Sequence, residues 1–424
     1  MLQYAVALLL LFTAGVCTVR TRFVPFRRFR DAMAVMRSEK GASSGVTPLE
    51  AAATSLAATI GTGNIAGVAG ALLLGGPGVV FWMWISALLG MGAKYVEILL
   101  GLRCRKNGII GPMAYIRANF ARWSGPLAAA YAFCCLICCL CMGNLVQVNT
   151  VAESILALYK VFRRPSFEWN GQLLNALVGI GAALLVGFVS IGGAKRIGRA
   201  AALLVPIMSF FYLAGSISIL VAKLEALPHA FASILRGAWT PQAFLIGISR
   251  GMFSHEGGLG TAAIAHGSVE TQNAGRQALY GIFEVFFDTI VICTLTALAV
   301  LASGIPLDYG NSARTGSVVM DAFAVLFGPK LSALCISLSL CLFAFSSILS
   351  FSLYSAVCAD YLWPKTGGRL CTLLFPLLLI LGACIRVEMA WKLSEWANLA
   401  LGAIHSFVLL KILLYKKSDH QRFR

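Results

Sequence analysis

Apolar runs about as long as a membrane-spanning helix recur along the whole chain, and short polar connections separate them. A helix crosses the hydrocarbon core of a bilayer with about 20 apolar residues. The pattern therefore predicts an all-α polytopic membrane protein with about eleven transmembrane helices. The predicted spans are 2–18, 48–74, 79–102, 124–152, 171–191, 200–222, 241–266, 278–302, 331–358, 370–386 and 391–413.

Two of these apolar runs, the second and the seventh, are interrupted by glycine-rich polar segments at 61–64 and 254–260. Glycine costs about 1 kcal/mol relative to alanine inside a helix, so a cluster of glycines disfavours a continuous helix. Unwound backbone at membrane depth is tolerated only where it is buried in protein or lines a wet cavity. The sequence thus predicts two discontinuous helices, and such matched breaks point to the binding site of a transporter.

The order of the spans predicts two five-helix groups that cross the membrane in opposite senses, each beginning with its broken span. The predicted organisation is an N-terminal helix with a basic cytoplasmic connection over 1–47, a first repeat over 48–222, a second repeat over 223–413 and a cytoplasmic tail over 414–424. This inverted repeat rests on order and parity alone, because the two halves show no visible similarity of sequence.

Composition supports a membrane protein and excludes a nucleic-acid partner. The chain is 59% hydrophobic and 12% charged, whereas soluble domains carry about 25% charged residues. A net charge of +17 would indicate nucleic acid in a soluble protein, but in a membrane protein Lys and Arg set the orientation. Placing the basic first connection in the cytoplasm leaves most other Lys and Arg residues on the same side. We therefore predict a multi-pass protein of the plasma membrane, the bacterial inner membrane, with its N-terminus outside and its C-terminus cytoplasmic.

The first break carries polar groups that suit an ion and a small zwitterion. Thr62 and Asn64 bring polar side chains to membrane depth. Unwound carbonyls can accept a hard cation, and the free N–H groups of the resuming half-helix can bind a carboxylate. Alternatively, Gly63, Gly67 and Gly70 merely permit close helix contact, which would explain the glycines but not the polar residues. We favour a binding site.

The second break adds an ionisable residue, Glu256. An acidic side chain within a span costs about 2.5–3.5 kcal/mol, which makes it a functional candidate by default. Three roles stay open: binding the ammonium group of a substrate, tying the two helix halves together, or carrying a proton. Arg250, one turn earlier, is a candidate partner.

Other spans also carry polar residues. Helical spacing puts Gln147 on the same face as Asn144, from which it can reach the cavity. Ser346 and Ser347 can either complete an oxygen cage for sodium or bond carbonyls of their own helix.

Charged pairs at helical spacing occur twice. Lys94 and Glu97 lie three residues apart and predict a structural ion pair. Glu284 and Asp288 share a helix face, and the sequence leaves their role open between gating and structure.

The amino-acid sequences of these segments resemble the alanine-or-glycine:cation symporter family, also called sodium:alanine symporters. The matching segments occur in the same order and cover nearly the whole chain. That family has a fold similar to the amino acid–polyamine–organocation superfamily. The resemblance implies sodium-coupled uptake of alanine or glycine, with sodium as a co-transported ligand, no other cofactor and no enzymatic activity. The matching segments are 58–69, 75–84, 111–113, 143–147, 250–254, 256–266, 284–289 and 292–294.

The resemblance also implies site residues. The Asn of the first break and the Gln of the fourth span would line the amino-acid site, the segment from Phe253 through Gly258 would form its other wall, and carbonyls around Thr59–Gly61 would hold sodium with Ser346 or Ser347. The expected substrate-binding residues are Thr62, Gly63, Asn64, Gln147, Phe253, Glu256, Gly257, Gly258 and Phe351, and the expected sodium ligands are Thr59, Gly61, Ser346 and Ser347.

Two positions depart from the family pattern. His255 stands where the family usually has Asn, and Phe351 stands where it has a bulky pocket Trp. The smaller aromatic ring predicts an enlarged or reshaped side-chain pocket.

The function that follows is sodium-coupled symport of a small neutral amino acid by alternating access. One alternative couples transport to protons through Glu256 or His255, and a more distant one is an ion channel that uses backbone carbonyls at membrane depth. An enzyme is not predicted, because the sequence shows no nucleophile–base pair or metal triad at helical spacing. The sequence leaves open the exact amino acid, its chirality, the sodium stoichiometry and the oligomeric state.

Overall fold

The computed structural model describes residues 2–36, 45–162, 170–269, 271, 273–310 and 315–415. These residues form helices joined by short connections, and none of them belongs to a β-strand. Part of the predicted basic connection (37–44) and nearly all of the predicted cytoplasmic tail (416–424) lie outside the described residues.

Nineteen α-helices account for most of the described chain. They are α1 (Leu2–Arg20), α2 (Val24–Arg27), α3 (Phe29–Val35), α4 (Pro48–Thr59), α5 (Ala66–Gly75), α6 (Val79–Arg103), α7 (Pro112–Asn119), α8 (Ser124–Leu140), α9 (Gln147–Phe162), α10 (Gly171–Ser190), α11 (Gly193–Ala222), α12 (Leu227–Gly237), α13 (Pro241–His255), α14 (Thr261–Gly267), α15 (Ala274–Val285), α16 (Thr294–Ala302), α17 (Thr315–Leu362), α18 (Gly367–Cys384) and α19 (Val387–Tyr415). Short 3₁₀ turns cover Thr62–Asn64, Ala121–Trp123 and Leu224–Ala226, and π-helical segments cover Cys141–Val146 and Phe286–Cys293.

Nine helical segments of the described chain are long and apolar enough to cross a membrane, and one of them, in α17, is kinked at Gly328, whose backbone is not helical (φ 73°, ψ 163°). The bent pair of α4 and residues 62–75 adds a tenth if it counts as one span. The other interrupted segment consists of α13 and α14, and neither half is long enough to span alone. The all-helical membrane fold is confirmed, whereas the count of eleven spans, the inverted repeat and the domain limits stay predictions.

The first predicted break is confirmed. Helix α4 begins with a capping box, in which the Thr47 hydroxyl accepts from the Glu50 N–H and the Glu50 carboxylate accepts from the Thr47 N–H. It ends at Thr59, and Ile60 leaves the helical region with ψ of 83°. The chain bends by 52° before it resumes through the 3₁₀ turn and α5.

The second predicted break is also confirmed. Helix α13 ends at His255, and Glu256 adopts a left-handed conformation with φ of 55°. Gly258 and Gly260 have φ of 104° and 86°, values that glycine adopts at little cost, and α14 starts at Thr261. The glycines of this segment are therefore needed for the turn that separates the two half-helices.

Burial separates the centre of the bundle from its periphery. Helix α6 packs against α1, α13, α14 and α15, and 78% of its most apolar 18-residue stretch is buried. Only 22% of the corresponding stretch of α10 is buried. Helices α10, α11 and α18 expose large apolar side chains such as Leu184, Phe210 and Leu377. An apolar outer surface of this kind suits contact with lipid. The two breaks lie beside α6, in the buried part of the bundle.

Candidate binding site at the two helix breaks

Two amide side chains hold the unwound backbone of the first break. The Gly61 N–H donates to Asn64 Oδ1 at 3.0 Å. The N–H and the hydroxyl of Thr62 both donate to Gln147 Oε1, at 3.2 and 3.1 Å. Buried backbone groups need such partners once the helix ends. The predicted residues Thr62, Asn64 and Gln147 are therefore brought together, and Gln147 crosses from α9 to reach the break.

A narrow cavity of about 50 Å³ lies against the first break. Its lining includes five of the residues predicted from the sequence: Thr59, Gly61, Gly63, Gln147 and Phe253. A Cβ added at position 63 would have no atom within 4 Å, so Gly63 leaves open space on the cavity wall. These residues come from α4, the first break, α9 and α13, which meet at one place.

The opposite side of the cavity carries an ion pair that the sequence analysis missed. Arg250 Nη2 lies 2.7 Å from Glu395 Oε1, and its guanidinium lies 5.0 Å from the ring centroid of Trp391. All three residues line the cavity. The predicted pairing of Arg250 with Glu256 is wrong, because α19 places Glu395 next to the Arg250 guanidinium. Glu395 is itself an ionisable residue in a predicted span, and this signal was available in the sequence.

Asp288 connects the two breaks. Its carboxylate accepts hydrogen bonds from Asn64 Nδ2 at 2.6 Å, from the Ser254 hydroxyl at 2.8 Å and from the Thr289 hydroxyl at 2.8 Å. Asp288 is fully buried in the π-helical segment Phe286–Cys293. Because Asn64 belongs to the first break and Ser254 to the end of α13, a single carboxylate fixes one broken helix against the other.

The two predicted sodium-site serines have different environments. Ser347 donates to the carbonyl of Ala57 at 2.7 Å and contacts that of Ile60 at 3.4 Å. Ser346 instead donates to the carbonyl of Phe343 in its own helix at 2.9 Å. A hydroxyl and two carbonyls beside a helix end are oxygen donors of the type that hard cations prefer. Ser347 therefore lies at the oxygen cluster of the first break, whereas the Ser346 hydroxyl bonds within α17.

The other two predicted sodium ligands also lie at this turn. The Thr59 hydroxyl donates to the carbonyl of Leu56 at 3.1 Å. A Cβ added to Gly61 would lie 2.7 Å from Ser347 Oγ and 3.1 Å from Gln147 Nε2. Gly61 thus allows the oxygen cluster and the amide of Gln147 to approach the backbone at the same point.

Glu256 lies beside its own half-helix and does not line the cavity. Its Oε2 accepts from the Thr261 hydroxyl at 2.5 Å, and its buried Oε1 has no hydrogen-bond partner among the described residues. The next N–H groups point elsewhere: Gly257 donates to His255 Nδ1, and Gly258 donates to Glu97 Oε1. Of the three roles left open, this geometry favours tying the two halves of the helix.

Phe351 packs behind the site. A Cβ at Gly143, in the π-helical segment Cys141–Val146, would overlap the Phe351 ring, and the ring makes an edge contact with Tyr354 at 5.7 Å between centroids. Phe351 is fully buried and does not line the cavity. Its influence on the cavity would therefore pass through the backbone that precedes Gln147.

A buried ion pair supports the breaks from α6. Lys94 Nζ lies 3.1 Å from Glu284 Oε2 and donates to the carbonyl of His255 at the end of α13, also at 3.1 Å. Ser55 of α4 donates to the same Glu284 oxygen at 2.5 Å. The expected pairing of Lys94 with Glu97 is wrong, because Glu284 on α15 is the carboxylate that meets the ammonium group. This network joins α4, α6, α13 and α15.

The chain is similar to known membrane transporters over nearly its whole length. The profile of the family described as "Sodium:alanine symporter family" matches residues 1–422. The chain is 34% identical to the sodium/alanine symporter AgcS of Methanococcus maripaludis, over 96% of this chain and 90% of that protein. It is also 34% identical to an uncharacterized transporter of Haemophilus influenzae, over 95% of this chain and 90% of that protein.

A more distant relative and a solved structure extend the comparison. The probable sodium/glutamine symporter GlnT of Bacillus subtilis is 28% identical over 96% of this chain and 85% of that protein. The crystal structure of MhsT in complex with L-phenylalanine aligns with a TM-score of 0.67 at 14% identity, over 90% of this chain and 92% of that chain. At this identity the likeness to MhsT shows a shared fold alone.

Proposed function

The chain belongs to the sodium:alanine symporter family, and from this premise we propose that it performs sodium-coupled symport of a small neutral amino acid, alanine or glycine, by alternating access. As a member of that family it is a multi-pass membrane transporter and not an enzyme. Relatives named for alanine and for glutamine support a neutral amino acid as the substrate. The further steps of the proposal rest on the geometry at the two breaks.

The observation that carries the proposal is the cavity against the first break. Its volume of about 50 Å³ compares with the ~150 Å³ of an engineered cavity that binds benzene, which favours the smallest amino acids. The half-helix that resumes at Thr62 has the positive end of its dipole at the break, and this end would attract the substrate carboxylate. Gly63, Gln147 and Phe253 would surround the rest of the molecule.

We assign sodium to the oxygen cluster on the other side of the same turn. The carbonyls of Ala57 and Ile60 and the hydroxyl of Ser347 supply the nearest donors, and Ser346 lies one residue away. Ile60 lies between Thr59 and Gly61, where the family resemblance leads us to expect the ion. The cluster offers uncharged oxygen ligands, which suit a monovalent hard cation.

Coupling follows from the shared turn. Position 61 approaches both Ser347, on the sodium side, and Gln147, on the amino-acid side. An ion that orders this turn would prepare the amino-acid site, and each ligand would raise the affinity for the other by the same factor. Asp288 would transmit the change to the second break through Ser254.

The proposal includes an orientation in the membrane and a movement that carries the substrate across it. We place the protein in the bacterial inner membrane with its N-terminus outside and its C-terminus in the cytoplasm. In transport, the helices of 48–222 and 223–413 would move against each other around the two breaks. A proton-coupled variant is the second candidate, because Glu256 keeps one buried oxygen without a partner among the described residues.

Uptake by proteoliposomes tests the proposal. Purified full-length protein would be reconstituted, and the uptake of labelled alanine, glycine and serine would be compared under an inward sodium gradient, an inward potassium gradient and an inward proton gradient. The proposal expects saturable uptake of alanine or glycine that requires sodium. Uptake that follows the pH gradient without sodium would favour the proton-coupled alternative, and no uptake of any small amino acid under sodium would refute the proposal.

A further inference from the structure

A second cavity, of about 580 Å³, lies at the end of the bundle where α3, the end of α6 and the start of α15 meet. It shares no lining residue with the cavity at the first break. It lies beside the basic connection that follows the first helix, on the side that the charge distribution predicts to be cytoplasmic. No residue of either helix break lines this cavity.

The cavity has a basic lining. Arg28, Arg103 and Arg276 contribute three guanidinium groups, and Asp31 contributes one carboxylate. Arg28 Nε pairs with Asp31 Oδ2 at 2.8 Å, and both side chains are about half exposed. The described lining therefore carries more positive than negative charge, and three guanidinium groups come from three different elements.

The first turn of α15 forms another part of the wall. Asn273 caps this twelve-residue helix by accepting the Arg276 N–H at 2.9 Å, and Ala274 and Gly275 line the cavity. The N-terminal end of a helix carries a partial positive charge and N–H groups without partners inside the helix. The turn thus adds to the positive potential produced by the arginines.

The hydroxyl of a buried tyrosine faces the same space. Tyr95 lines the cavity although its side chain is only 3% exposed, and its hydroxyl has no hydrogen-bond partner among the described residues. The hydroxyl lies 4.0 Å from the position of a Cβ at Gly275, in the first turn of α15. Although the residue is buried, its hydroxyl oxygen is open to the cavity, where it can donate to a ligand with acceptor oxygens.

We propose that this pocket, formed by Arg28, Tyr95, Arg103 and the first turn of α15, binds a phosphate group. Guanidinium groups bind phosphate oxygens in pairs, and helix N-termini and hydroxyls donate to the same atoms. The phosphate would be either the head group of an anionic phospholipid or free phosphate. Bound there, it would hold α3, α6 and α15 together and stabilise the folded protein.

The neighbouring surface gives a lipid direct access. The short helix α2 and its N-cap expose Phe23 and Phe26, at 51% and 53%, among arginines that include Arg22 and Arg27. Aromatic and basic residues on one short segment are typical of a helix at the membrane interface, and basic pockets between helices on the cytoplasmic side bind anionic head groups. A head group held at this depth would lie next to the pocket.

Native mass spectrometry of bound lipid and thermal unfolding test the proposal on the purified, delipidated full-length protein in detergent. Native mass spectrometry would compare retention of phosphatidylglycerol with that of phosphatidylethanolamine, and thermal unfolding would be titrated with phosphatidylglycerol and, separately, with inorganic phosphate. The variants are Tyr95→Phe, Arg103→Gln and Arg276→Gln. Arg122→Gln is the matched control, because it removes the same charge from an exposed arginine that neither lines the pocket nor belongs to the α2 surface beside it.

The expected result is stabilisation by at least one probe, with an affinity about tenfold weaker in each pocket variant and unchanged in Arg122→Gln. Selective retention of phosphatidylglycerol would identify the lipid as the source, and stabilisation by inorganic phosphate without lipid preference would identify the free anion. The proposal is overturned if neither probe stabilises the protein, or if the pocket variants lose no more affinity than the control. Tyr95→Phe removes a single oxygen and decides the matter if an arginine variant fails to fold.

Discussion

Replacing Gly63 by alanine tests whether the cavity at the first break holds the substrate. Gly63 lies in the 3₁₀ turn Thr62–Asn64, and its φ is not in the left-handed region. A Cβ at this position would meet no atom within 4 Å, so the fold has room for the methyl group. The methyl group would instead extend into the cavity of about 50 Å³, where the substrate is proposed to bind.

The expected size of the effect follows from the chemistry of small pockets. One extra carbon in a pocket shaped for a small molecule changes binding by about 1–3 kcal/mol, which is about tenfold or more in affinity. The folded protein should be no less stable, because alanine at a compatible position stabilises by about 0.4–1 kcal/mol through the unfolded chain. Gly63→Ala should therefore raise the KM for alanine about tenfold or more and leave the melting temperature unchanged or slightly higher.

The assay is sodium-driven uptake in proteoliposomes together with thermal unfolding in detergent. Gly181→Ala is the control, because its Cβ would also meet open space, but on α10, away from the cavity. Gly61→Ala is the contrasting variant: its Cβ would lie 2.7 Å from Ser347 Oγ, so it should lower both stability and uptake. A Gly63→Ala protein with unchanged KM and unchanged stability would refute the assignment of the cavity.

Three further substitutions probe the contacts around the breaks. Ser347→Ala should raise the sodium concentration for half-maximal uptake more than Ser346→Ala does, because only Ser347 contacts carbonyls of the first break; equal effects would contradict the ion assignment. Asp288→Asn weakens the acceptor of three hydrogen bonds and should cost about 2 kcal/mol or more of unfolding free energy and most of the uptake, and unchanged thermal unfolding and uptake would contradict the linking role. Lys94→Met leaves Glu284 buried without its counter-charge and should cost about 3–5 kcal/mol in chemical unfolding, with part of the loss recovered when Glu284→Gln is added; strictly additive losses would show that the pair is not coupled.

The breaks could be predicted from the sequence because their cause is local. Glycine clusters in apolar runs disfavour a helix wherever the chain folds, and the structure unwinds at Ile60 and at Glu256, inside or beside the predicted segments. The family resemblance also predicts that Gln147 lies at the first break, because it puts Gln147 in one site with Asn64; in the structure Gln147 bonds Thr62, 85 residues away in the chain.

Contacts between distant spans could not be predicted in this way. Asn64 and Asp288 are separated by 224 residues, and no periodicity brings an acidic residue of the eighth span to the first break. The rule of helical spacing paired Lys94 with a neighbour on its own helix, whereas tertiary packing gives it Glu284 on α15. The same limit applies to Arg250, whose partner Glu395 is 145 residues away.

We propose that the two breaks form one site for an amino acid and sodium. Calorimetric titration of the purified protein with alanine, in sodium and in potassium at equal ionic strength, tests it most directly because it measures binding without transport. We expect sodium to raise the affinity for alanine, alanine to raise the affinity for sodium by the same factor, and Ser347→Ala to reduce both effects. An affinity for alanine that is the same in sodium and in potassium would contradict a shared site.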